Sequence, residues 1–218
     1  MAYNHIYENY LKAHMLPIYE AGFIALEKQY LTVGLNGFIE GAEFLGIEPT
    51  PNDEYFAYAE KILKPIYEEN RAARTDKVMF NTELIPAESL GVKNAKWDKR
   101  DGYKVPRDVY NSYFYRVECP DVSILDKIKL HGEKTTKYLD GGSALHMNLD
   151  EHLTKAQYRK LMDYAIKTKC PYLTFNIPNT ICNSCGYISK HIFEKCPICG
   201  SAMLLRKGAY GPYFMRLS

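Results

Sequence analysis

Apolar residues recur at helical spacing in the first third of the chain, which predicts amphipathic helices there. One stripe comprises Leu35, Phe38, Ile39, Ala42 and Leu45. Gly46 follows this stripe directly and is expected just beyond the end of the helix, because glycine readily adopts the left-handed backbone that closes many helices.

A second apolar stripe follows the proline-rich break at residues 49–53. It comprises Phe56, Ala59, Ile62, Leu63 and Ile66. Asn52 or Asp53 is expected to cap this helix, since short polar side chains accept hydrogen bonds from the first free N–H groups. Pro65 lies inside the stripe and is expected to kink or end the helix, because its ring removes a backbone hydrogen bond.

The middle of the chain is richer in strand and turn patterns. Residues 77–81 predict a short strand, and residues 96–102 are charged and turn-like, with Asp101 and Gly102 as the turn. Residues 110–117 are rich in aromatic side chains. Their periodicity fits a strand and a buried helical turn equally well, so it does not decide between the two.

A strand with one buried face is predicted at residues 145–149. Apolar side chains alternate there with His146 and Asn148, and alternate side chains of a strand point to opposite faces.

A helix and a second strand follow this strand. Thr154 and Gln157 have the spacing of a capping box, and apolar residues at helical spacing come after them. Pro171 is expected to end the helix, and residues 172–177 predict the second strand. This order is that of a parallel βαβ unit, so we predict an α/β fold with an α-rich N-terminal portion.

Composition and charge exclude several classes of protein. Hydrophobic residues make up 46% and charged residues 25% of the chain, which are globular proportions. The net charge of +2 is too balanced for a surface dedicated to nucleic acid or membranes. No apolar run approaches the roughly 18 residues of a membrane span, and residues 1–8 do not resemble a secretory signal. We therefore expect a cytoplasmic protein without a membrane partner.

Four of the six cysteines form two Cys-x-x-Cys-Gly motifs, Cys182 with Cys185 and Cys196 with Cys199. Four thiolates at this spacing predict a zinc ribbon, because Zn²⁺ accepts tetrahedral coordination by sulfur. Protein ligands then fill all positions around the ion, so the Zn²⁺ is expected to be structural. The alternative is a pair of redox-active dithiols.

Nucleic-acid binding by the ribbon is a further alternative. The basic side chains of this region are Lys190, His191, Lys195, Arg206 and Lys207. They form a modest cluster without the aromatic stacking pattern of single-strand binders, which makes this alternative weaker.

Several segments, in order along the chain, resemble one enzyme family. They are residues 30–37, 80–93, 94–103, 138–149 and 172–185, the last of which leads into the cysteines. These segments resemble the large subunit of the anaerobic (class III) ribonucleoside-triphosphate reductase, from about residue 5 to about residue 200. Their number and order make the resemblance specific.

The resemblance implies the fold and the chemistry of that family. It implies the C-terminal half of a ten-stranded α/β barrel at residues 1–177, a zinc ribbon at residues 178–202 and a tail at residues 203–218 in the place of the glycyl-radical loop. In the family, a radical-SAM activase generates a glycyl radical, which passes to a cysteine. The resulting thiyl radical removes hydrogen from C3′ of the ribose, water leaves from C2′, and formate or a thiol supplies the reducing equivalents.

Two differences from the family pattern affect the expected activity. The radical-forming cysteine of the family lies upstream of the matched part, and Cys119 and Cys170 are expected to be small buried side chains. Gly211 or Gly208 would carry the radical in a tail whose spacing differs; the alternative is a tail without a radical. The chain alone is therefore expected not to reduce ribonucleotides. It is expected to associate, as part of an oligomer, with a chain that carries the N-terminal half.

Polar residues near strand ends are the candidate catalytic residues, because active sites of α/β proteins gather there. Asn81, Glu83 and Glu88 lie beside the predicted strand end, and Glu83 is the first candidate to accept a proton from O3′ of the ribose. His146 and Asn148 share one strand face and are the candidate substrate-binding residues. The alternative for this pair is an ordinary solvated face.

Two further possibilities remain open at this point. Residues 140–143 contain two adjacent glycines and are a weak candidate for phosphate contacts through backbone N–H groups. The chain is alternatively a non-catalytic zinc-ribbon protein that binds the activase, a reductase chain or nucleic acid. A different glycyl-radical enzyme, such as a relative of formate lyase, is disfavoured because the ribbon is characteristic of the reductase branch.

Overall fold

A computed structural model describes residues 2–84, 88–117, 122–149 and 152–206, in which helices alternate with short strands. The helices are α1 (Ala2–Lys12), α2 (Pro17–Glu20), α3 (Phe38–Phe44), α4 (Asp53–Ala72), α5 (Glu88–Arg100), α6 (Ile124–Leu130), α7 (Glu133–Thr136) and α8 (Lys155–Thr168). The strands are β1 (Tyr30–Leu35), β2 (Met79–Leu84), β3 (Leu145–Asn148), β4 (Leu173–Asn176), β5 (Asn179–Cys182), β6 (Ile188–Ser189) and β7 (Met203–Arg206). Within these ranges, no helix combines the length and the apolar character needed to cross a membrane.

The strands form two parallel pairs followed by an antiparallel sheet. β1 runs parallel to β2 with Leu35 opposite Leu84, and β3 runs parallel to β4 with Asn148 opposite Asn176. The predicted βαβ unit is therefore confirmed as β3, α8 and β4. β5 lies between β6 and β7 and is antiparallel to both.

Backbone contacts join the two parallel pairs. The N–H of Gly141 donates to the carbonyl of Thr82 at 2.9 Å, and Glu83 forms an isolated parallel bridge with Gly142. The chain enters β3 shortly after these glycines. The bridge therefore places the β1–β2 pair next to the β3–β4 pair, with the strands in chain order. The fold is a mixed helix and sheet fold with a parallel part.

The main core lies between the parallel strands and the helices that cover them. Tyr55 and Leu63 of α4 are fully buried, as are Leu145 and Met147 of β3. The hydroxyl of Tyr55 donates to the carbonyl of Phe114 at 3.0 Å, so its polar atom is satisfied inside the core. Each large apolar side chain that is fully buried stabilises the fold by about 1.5–3 kcal/mol.

The first predicted helix is confirmed as α3, but Leu35 lies outside it. Gly37 has a φ of 78° and separates the strand from the helix, so Leu35 is the last residue of β1. At the other end, the N–H of Ile47 donates to the carbonyl of Ala42 at 2.9 Å. Gly46, with a φ of 75°, is the left-handed residue that the sequence predicts there.

The second predicted helix is α4, and Asn52 is its cap. The Oδ1 atom of Asn52 accepts a hydrogen bond from the N–H of Tyr55 at 2.8 Å. The prediction that Pro65 could end the helix is wrong, because α4 continues to Ala72. Pro65 is exposed, so water can satisfy the carbonyl of Lys61 that loses its backbone donor.

The middle of the chain differs most from its predicted structure. Residues 96–100 belong to α5 and are not a turn; only Asp101 and Gly102 form the turn. Residues 110–117 form neither of the two predicted elements, and instead Phe114 and Tyr115 are buried in the core from an irregular segment. The strand predicted at 77–81 is β2, which lies slightly later, and β1 is not predicted from the hydrophobic pattern.

The boundaries of α8 agree with the sequence. Thr154 and Gln157 form both hydrogen bonds of the capping box. The helix closes at Lys169, which has a left-handed φ of 57°, just before Pro171.

Candidate metal centre and candidate active-site face

The four motif cysteines converge on one point. Their sulfur atoms all lie within 4.8 Å of one another. The Sγ atoms of Cys182 and Cys199 are 3.5 Å apart, as are those of Cys185 and Cys196. These short distances connect the two motifs, which favours one shared ion over two separate dithiols.

Two similar turns present the sulfur atoms. The N–H of Gly186 donates to the carbonyl of Cys182, and the N–H of Gly200 donates to the carbonyl of Cys196, both at 2.9 Å. Gly186 and Gly200 have φ values of 76° and 72°, which side chains with a Cβ rarely adopt. The trailing glycine of each motif is therefore required by its turn.

The spacing of the sulfur atoms fits Zn²⁺. A tetrahedron with Zn–S distances of about 2.3 Å has sulfur atoms about 3.8 Å apart, close to the observed separations. Hydrogen bonding to Ser201 lowers the pKa of the Cys199 thiol to about 6, whereas burial and hydrogen bonds to the other three cysteines raise the pKa of Cys185 to about 12. The four thiols therefore interact as one cluster. These four cysteines would hold the ion in a closed shell and give it a structural role.

The described ribbon is longer than the sequence indicates. β7, at Met203–Arg206, pairs with β5, so the first residues of the expected tail at 203–218 belong to the ribbon sheet. Cys182 lies directly opposite Met203. Cys182 and the start of the tail are therefore held by the same strand pair.

Asn81 and Glu83 lie on the face of β2 that points away from the covering helix. Thr82 and Leu84, which alternate with them, are buried. Thr82 accepts a hydrogen bond from Asn70 of α4 at 2.9 Å, which fixes the orientation of the strand. Burial raises the pKa of Glu83 above its ordinary value, so this carboxylate is a stronger base than a solvated one.

His146 and Asn148 lie on the face of β3 opposite the core. Leu145 and Met147, which alternate with them, have no exposed surface. Burial lowers the pKa of His146, which keeps its imidazole neutral at neutral pH.

The two candidate pairs occupy the same side of the parallel strands. Glu83 is bridged to Gly142, and positions 142, 144, 146 and 148 alternate with the buried positions 143, 145, 147 and 149. Leu84, Leu145 and Met147 belong to one buried core cluster, and Glu83 and His146 alternate with them, so both lie on the side away from that core. We call this surface the polar face; it comprises Asn81, Glu83, His146 and Asn148.

The structure adds Asn176 to the polar face. Asn176 is buried at the end of β4, directly opposite Asn148, and its Nδ2 donates to the Oδ1 of Asn148 at 2.9 Å. Sequence reasoning missed this residue. The signal available was that each strand of the βαβ unit ends in an asparagine.

Asn81 is held by the glycine segment that joins β2 to β3. A Cβ atom on Gly141 would lie only 2.8 Å from Nδ2 of Asn81, so this close approach requires glycine. The Oδ1 of Asp140 accepts from the N–H of Thr82 at 2.9 Å, and Arg74 pairs with Asp140. Because the Gly141 N–H is already donated to Thr82, the expectation that it contacts phosphate is not supported.

Several candidate residues fall outside what the structure describes. Gly208 and Gly211 lie in residues 207–218, Cys119 lies in residues 118–121, and the side chain of Glu88 is not described. Cys170 is described and is partly buried.

Burial raises the pKa of Cys170 to about 11, so this thiol stays protonated. That environment fits the predicted packing role better than a reactive one.

Comparison with known proteins identifies the class of protein. The sequence profile of the anaerobic ribonucleoside-triphosphate reductase family matches residues 1–207. The chain therefore belongs to the anaerobic ribonucleoside-triphosphate reductase family. No curated protein matches the chain significantly.

Solved structures of similar proteins agree with this assignment. An anaerobic ribonucleotide reductase superposes with a TM-score of 0.81 at 27% identity, over 93% of this chain and 33% of that chain. The Thermotoga maritima enzyme in complex with dATP and CTP gives a TM-score of 0.81 at 27% identity, over 93% of this chain and 34% of that chain. The same enzyme with MES in the active site gives a TM-score of 0.81 at 27% identity, over 94% of this chain and 35% of that chain. The chain thus spans about a third of the length of these solved structures.

Proposed function

We propose that this chain is the C-terminal portion of an anaerobic ribonucleoside-triphosphate reductase. The enzyme would convert ribonucleoside triphosphates to deoxyribonucleoside triphosphates in the cytoplasm, for DNA replication. The observation that carries the proposal is the polar face: the strands that match the solved reductases place Asn81, Glu83 and His146 on one side, away from the core.

Glu83 is proposed as the base that acts on the ribose. The thiyl radical of the family's chemistry removes hydrogen from C3′. A carboxylate beside O3′ accepts the hydroxyl proton, and one proton is delivered to the C2′ hydroxyl, which leaves as water, so that the number of protons balances. The pKa of Glu83, which burial raises, strengthens the carboxylate as a proton acceptor.

The amides and the imidazole of the polar face are proposed to bind and orient substrate. The Oδ1 of Asn148 accepts a hydrogen bond from Asn176, and the Nδ2 of this exposed amide is proposed to donate to substrate. The neutral imidazole of His146 adds an uncharged hydrogen-bonding group. Asn81 lies beside Gly141, and its buried Oδ1 has no hydrogen-bond partner among the residues that the structure describes. Asn81 is proposed to act beside Glu83.

The open sheet supports a missing upstream portion. Within the described ranges, the outer edges of β1 and β4 pair with no further strand. Unpaired strand edges favour association, because their N–H and C=O groups lack partners. We propose that strands of the upstream portion complete a ten-stranded α/β barrel, and that this portion supplies the radical-forming cysteine.

The ribbon and the tail are proposed to serve the radical chemistry. Zn²⁺ at the four cysteines would fix the sheet from which the tail leaves at β7. Gly211 or Gly208 in that tail would receive the radical from a radical-SAM activase. Formate or a thiol system would supply the reducing equivalents, and the complete enzyme would be an oligomer.

A non-catalytic zinc-ribbon protein is the second candidate, and one observation favours it. Ile181 lies opposite both Ile188 and Leu204 in the ribbon sheet. Ile188 and Leu204 are exposed, whereas the polar Thr180 and Ser189 are buried on the other side. An exposed apolar row of this kind is typical of a surface that contacts another protein.

An anaerobic turnover assay separates the two candidates. The chain is mixed with a polypeptide that covers the upstream two thirds of the reductase, the activase, formate and a ribonucleoside triphosphate. We expect deoxyribonucleotide from the complete mixture, none from the chain alone, and about 10²–10⁴-fold less from Glu83→Gln. Asp163→Asn on the exposed side of α8 is the matched control. Turnover by the chain alone, or full turnover with Glu83→Gln, would contradict the proposal.

A further inference from the structure

Gly34 is a glycine that neither its backbone conformation nor its surroundings require. It lies inside β1 and does not have the positive φ that only glycine adopts readily. It is exposed, so a side chain at this position would not be crowded by the described residues. Glycine inside a strand lowers stability, because it has no side chain to pack and loses more freedom on folding. A glycine in such a position often marks the close approach of a ligand.

The position of Gly34 is directly beside the proposed base. In the parallel pair of β1 and β2, Gly34 lies opposite Glu83. Neighbouring strands lie about 4.8 Å apart, and side chains at opposite positions of a parallel pair point to the same side. A side chain at position 34 would therefore stand next to the Glu83 carboxylate, on the polar face.

The other neighbour of Glu83 is also a glycine. Glu83 is bridged to Gly142, and a Cβ atom on Gly142 would meet no heavy atom within 4 Å. Gly142 has a φ of 127°, so its backbone conformation alone accounts for glycine at that position. The conformation of Gly34 gives no such reason. The two glycines leave open space on both sides of the Glu83 side chain.

The groups that face this space select for hydroxyl donors. Burial alone raises the pKa of Glu83, with no contribution from a hydrogen bond or charge of another described residue. An ionised carboxylate can only accept hydrogen bonds. Thr32, which precedes Gly34 by two residues and lies opposite Asn81, adds an exposed hydroxyl on the same side. The occupant must therefore donate hydrogen bonds and be small enough to lie against the backbone of β1.

Of the three parts of a nucleotide, the sugar meets these conditions. A phosphate carries negative charge and would be repelled by the Glu83 carboxylate. A base would gain little from Gly34 and Gly142, since neither has an aromatic ring on which it could stack. A ribose ring is small and carries neighbouring hydroxyls that can donate to a carboxylate.

We infer that Gly34 is a specificity-determining residue of the reductase, because its missing side chain leaves the space in which the ribose of the substrate lies. The sugar ring rests against β1 and directs a hydroxyl to Glu83. The inference rests on the proposed function and deepens it, since it assigns the place of the sugar on the polar face.

Larger side chains at position 34 should have opposite effects on stability and on substrate binding. Gly34→Ala and Gly34→Val are made in the 218-residue chain. Urea unfolding of the chain alone should give equal or higher midpoints, because glycine is the least favourable of the three residues in a strand. In the reconstituted reductase, the KM for ribonucleotide should rise about tenfold for Gly34→Ala and further for Gly34→Val. The kcat should fall less than the KM rises, because Glu83 is retained.

Val33→Ile is the matched control. It adds one carbon atom at the adjacent position, where the side chain is 38% exposed and lies opposite Thr82, on the other side of β1. Its KM should equal that of the unaltered chain. Lower unfolding midpoints for both Gly34 variants would show that the glycine serves the fold. Weaker binding of the upstream polypeptide would show that it makes room for protein, and an unchanged KM that substrate does not use the space. Each of these results would overturn the inference.

Equilibrium dialysis with a radiolabelled ribonucleoside triphosphate, in the mixture without activase, separates this inference from the proposed function. The affinity should fall from the unaltered chain to Gly34→Ala and again to Gly34→Val. This graded loss, if the activated mixture shows no turnover, contradicts the proposed function and leaves the role of Gly34 standing. A mixture that binds no ribonucleotide, or binds it equally with all three chains, would overturn the inference.

Discussion

Asn176 donates a hydrogen bond from its Nδ2 to the Oδ1 of Asn148 at 2.9 Å, across the ends of two neighbouring parallel strands. The donor side chain is buried and the acceptor side chain is exposed. The bond therefore orients the exposed amide from inside the protein. The pairing of β3 with β4 therefore determines how the Asn148 amide is oriented on the polar face.

Removal of the Asn176 amide should disturb binding more than folding. Asn176→Ala loses one buried hydrogen bond, and we expect a loss of about 1 kcal/mol in the free energy of unfolding, measured with urea. In the reconstituted reductase the KM for ribonucleotide should rise more than kcat falls, because Asn148 is no longer oriented. Asn183→Ala, at an exposed turn of the ribbon, is the control. An unchanged KM would show that the amide pair has no part in substrate binding.

His131 should make the protein less stable in mild acid. It has no exposed surface, it lies among the rings of Tyr113, Phe114 and Tyr115, and burial lowers its pKa to about 3. The unfolded chain takes up a proton near pH 6.5, whereas the folded chain does not until about pH 3. Stability contributed by this group is complete above pH 6.5 and falls as the pH drops toward 3, by about 2 kcal/mol at pH 5.

Urea unfolding at pH 7 and pH 5 measures this effect. His131→Gln should reduce the difference between the two pH values, although it also loses packing in the aromatic cluster. His191→Gln, at an exposed ring, should retain the full difference. Equal pH dependence of all three proteins would exclude His131 as the cause.

Metal removal should unfold the ribbon and leave the main core intact. We expect about one zinc ion per chain, because four thiolates form one tetrahedral site. Chelation, or Cys182→Ser, should expose β5–β7 to proteolysis while α4 and α8 remain folded. Cys170→Ser is the matched control outside the centre. Purified protein without bound zinc or iron would contradict the assignment of the centre.

Gly141→Ala should displace Asn81. The added methyl group would lie 2.8 Å from Nδ2 of Asn81 and 3.0 Å from the carbonyl of Thr82. We expect a loss of about 1–3 kcal/mol in the free energy of unfolding, as in other overpacked sites. Asn81→Ala in the same chain should recover part of this loss, since it removes the closest contact. A double-mutant cycle that is fully additive would show that the two residues do not interact.

Local chemistry accounts for the elements that the sequence predicts well. The capping box of Thr154 and Gln157, the cap at Asn52 and the two cysteine motifs each depend on a few neighbouring residues. Such short-range contacts can be predicted from the spacing of residues along the sequence. The βαβ unit follows because a helix between two apolar strands makes a parallel crossover.

Long-range packing explains what the sequence does not predict. β1 is half exposed and has little alternation, and it is a strand because it pairs with β2. The irregular segment around Phe114 is held by core contacts instead of backbone periodicity.

The common side of Glu83 and His146 depends on a bridge between Glu83 and Gly142, far apart in the chain. The spacing of residues along the sequence identifies each residue of the polar face separately. Their arrangement comes from tertiary structure.

The pairing of β7 with β5 has a mechanical consequence. Any pull on the chain beyond Arg206 is carried first by the hydrogen bonds that run from Arg206–Asn179 to Met203–Cys182. The last of these pairs includes Cys182, one of the four cysteines of the candidate metal centre. With a metal ion bound to the four cysteines, tension from the residues after Arg206 would reach this ion before it reaches the parallel strands, and the metal would act as an anchor.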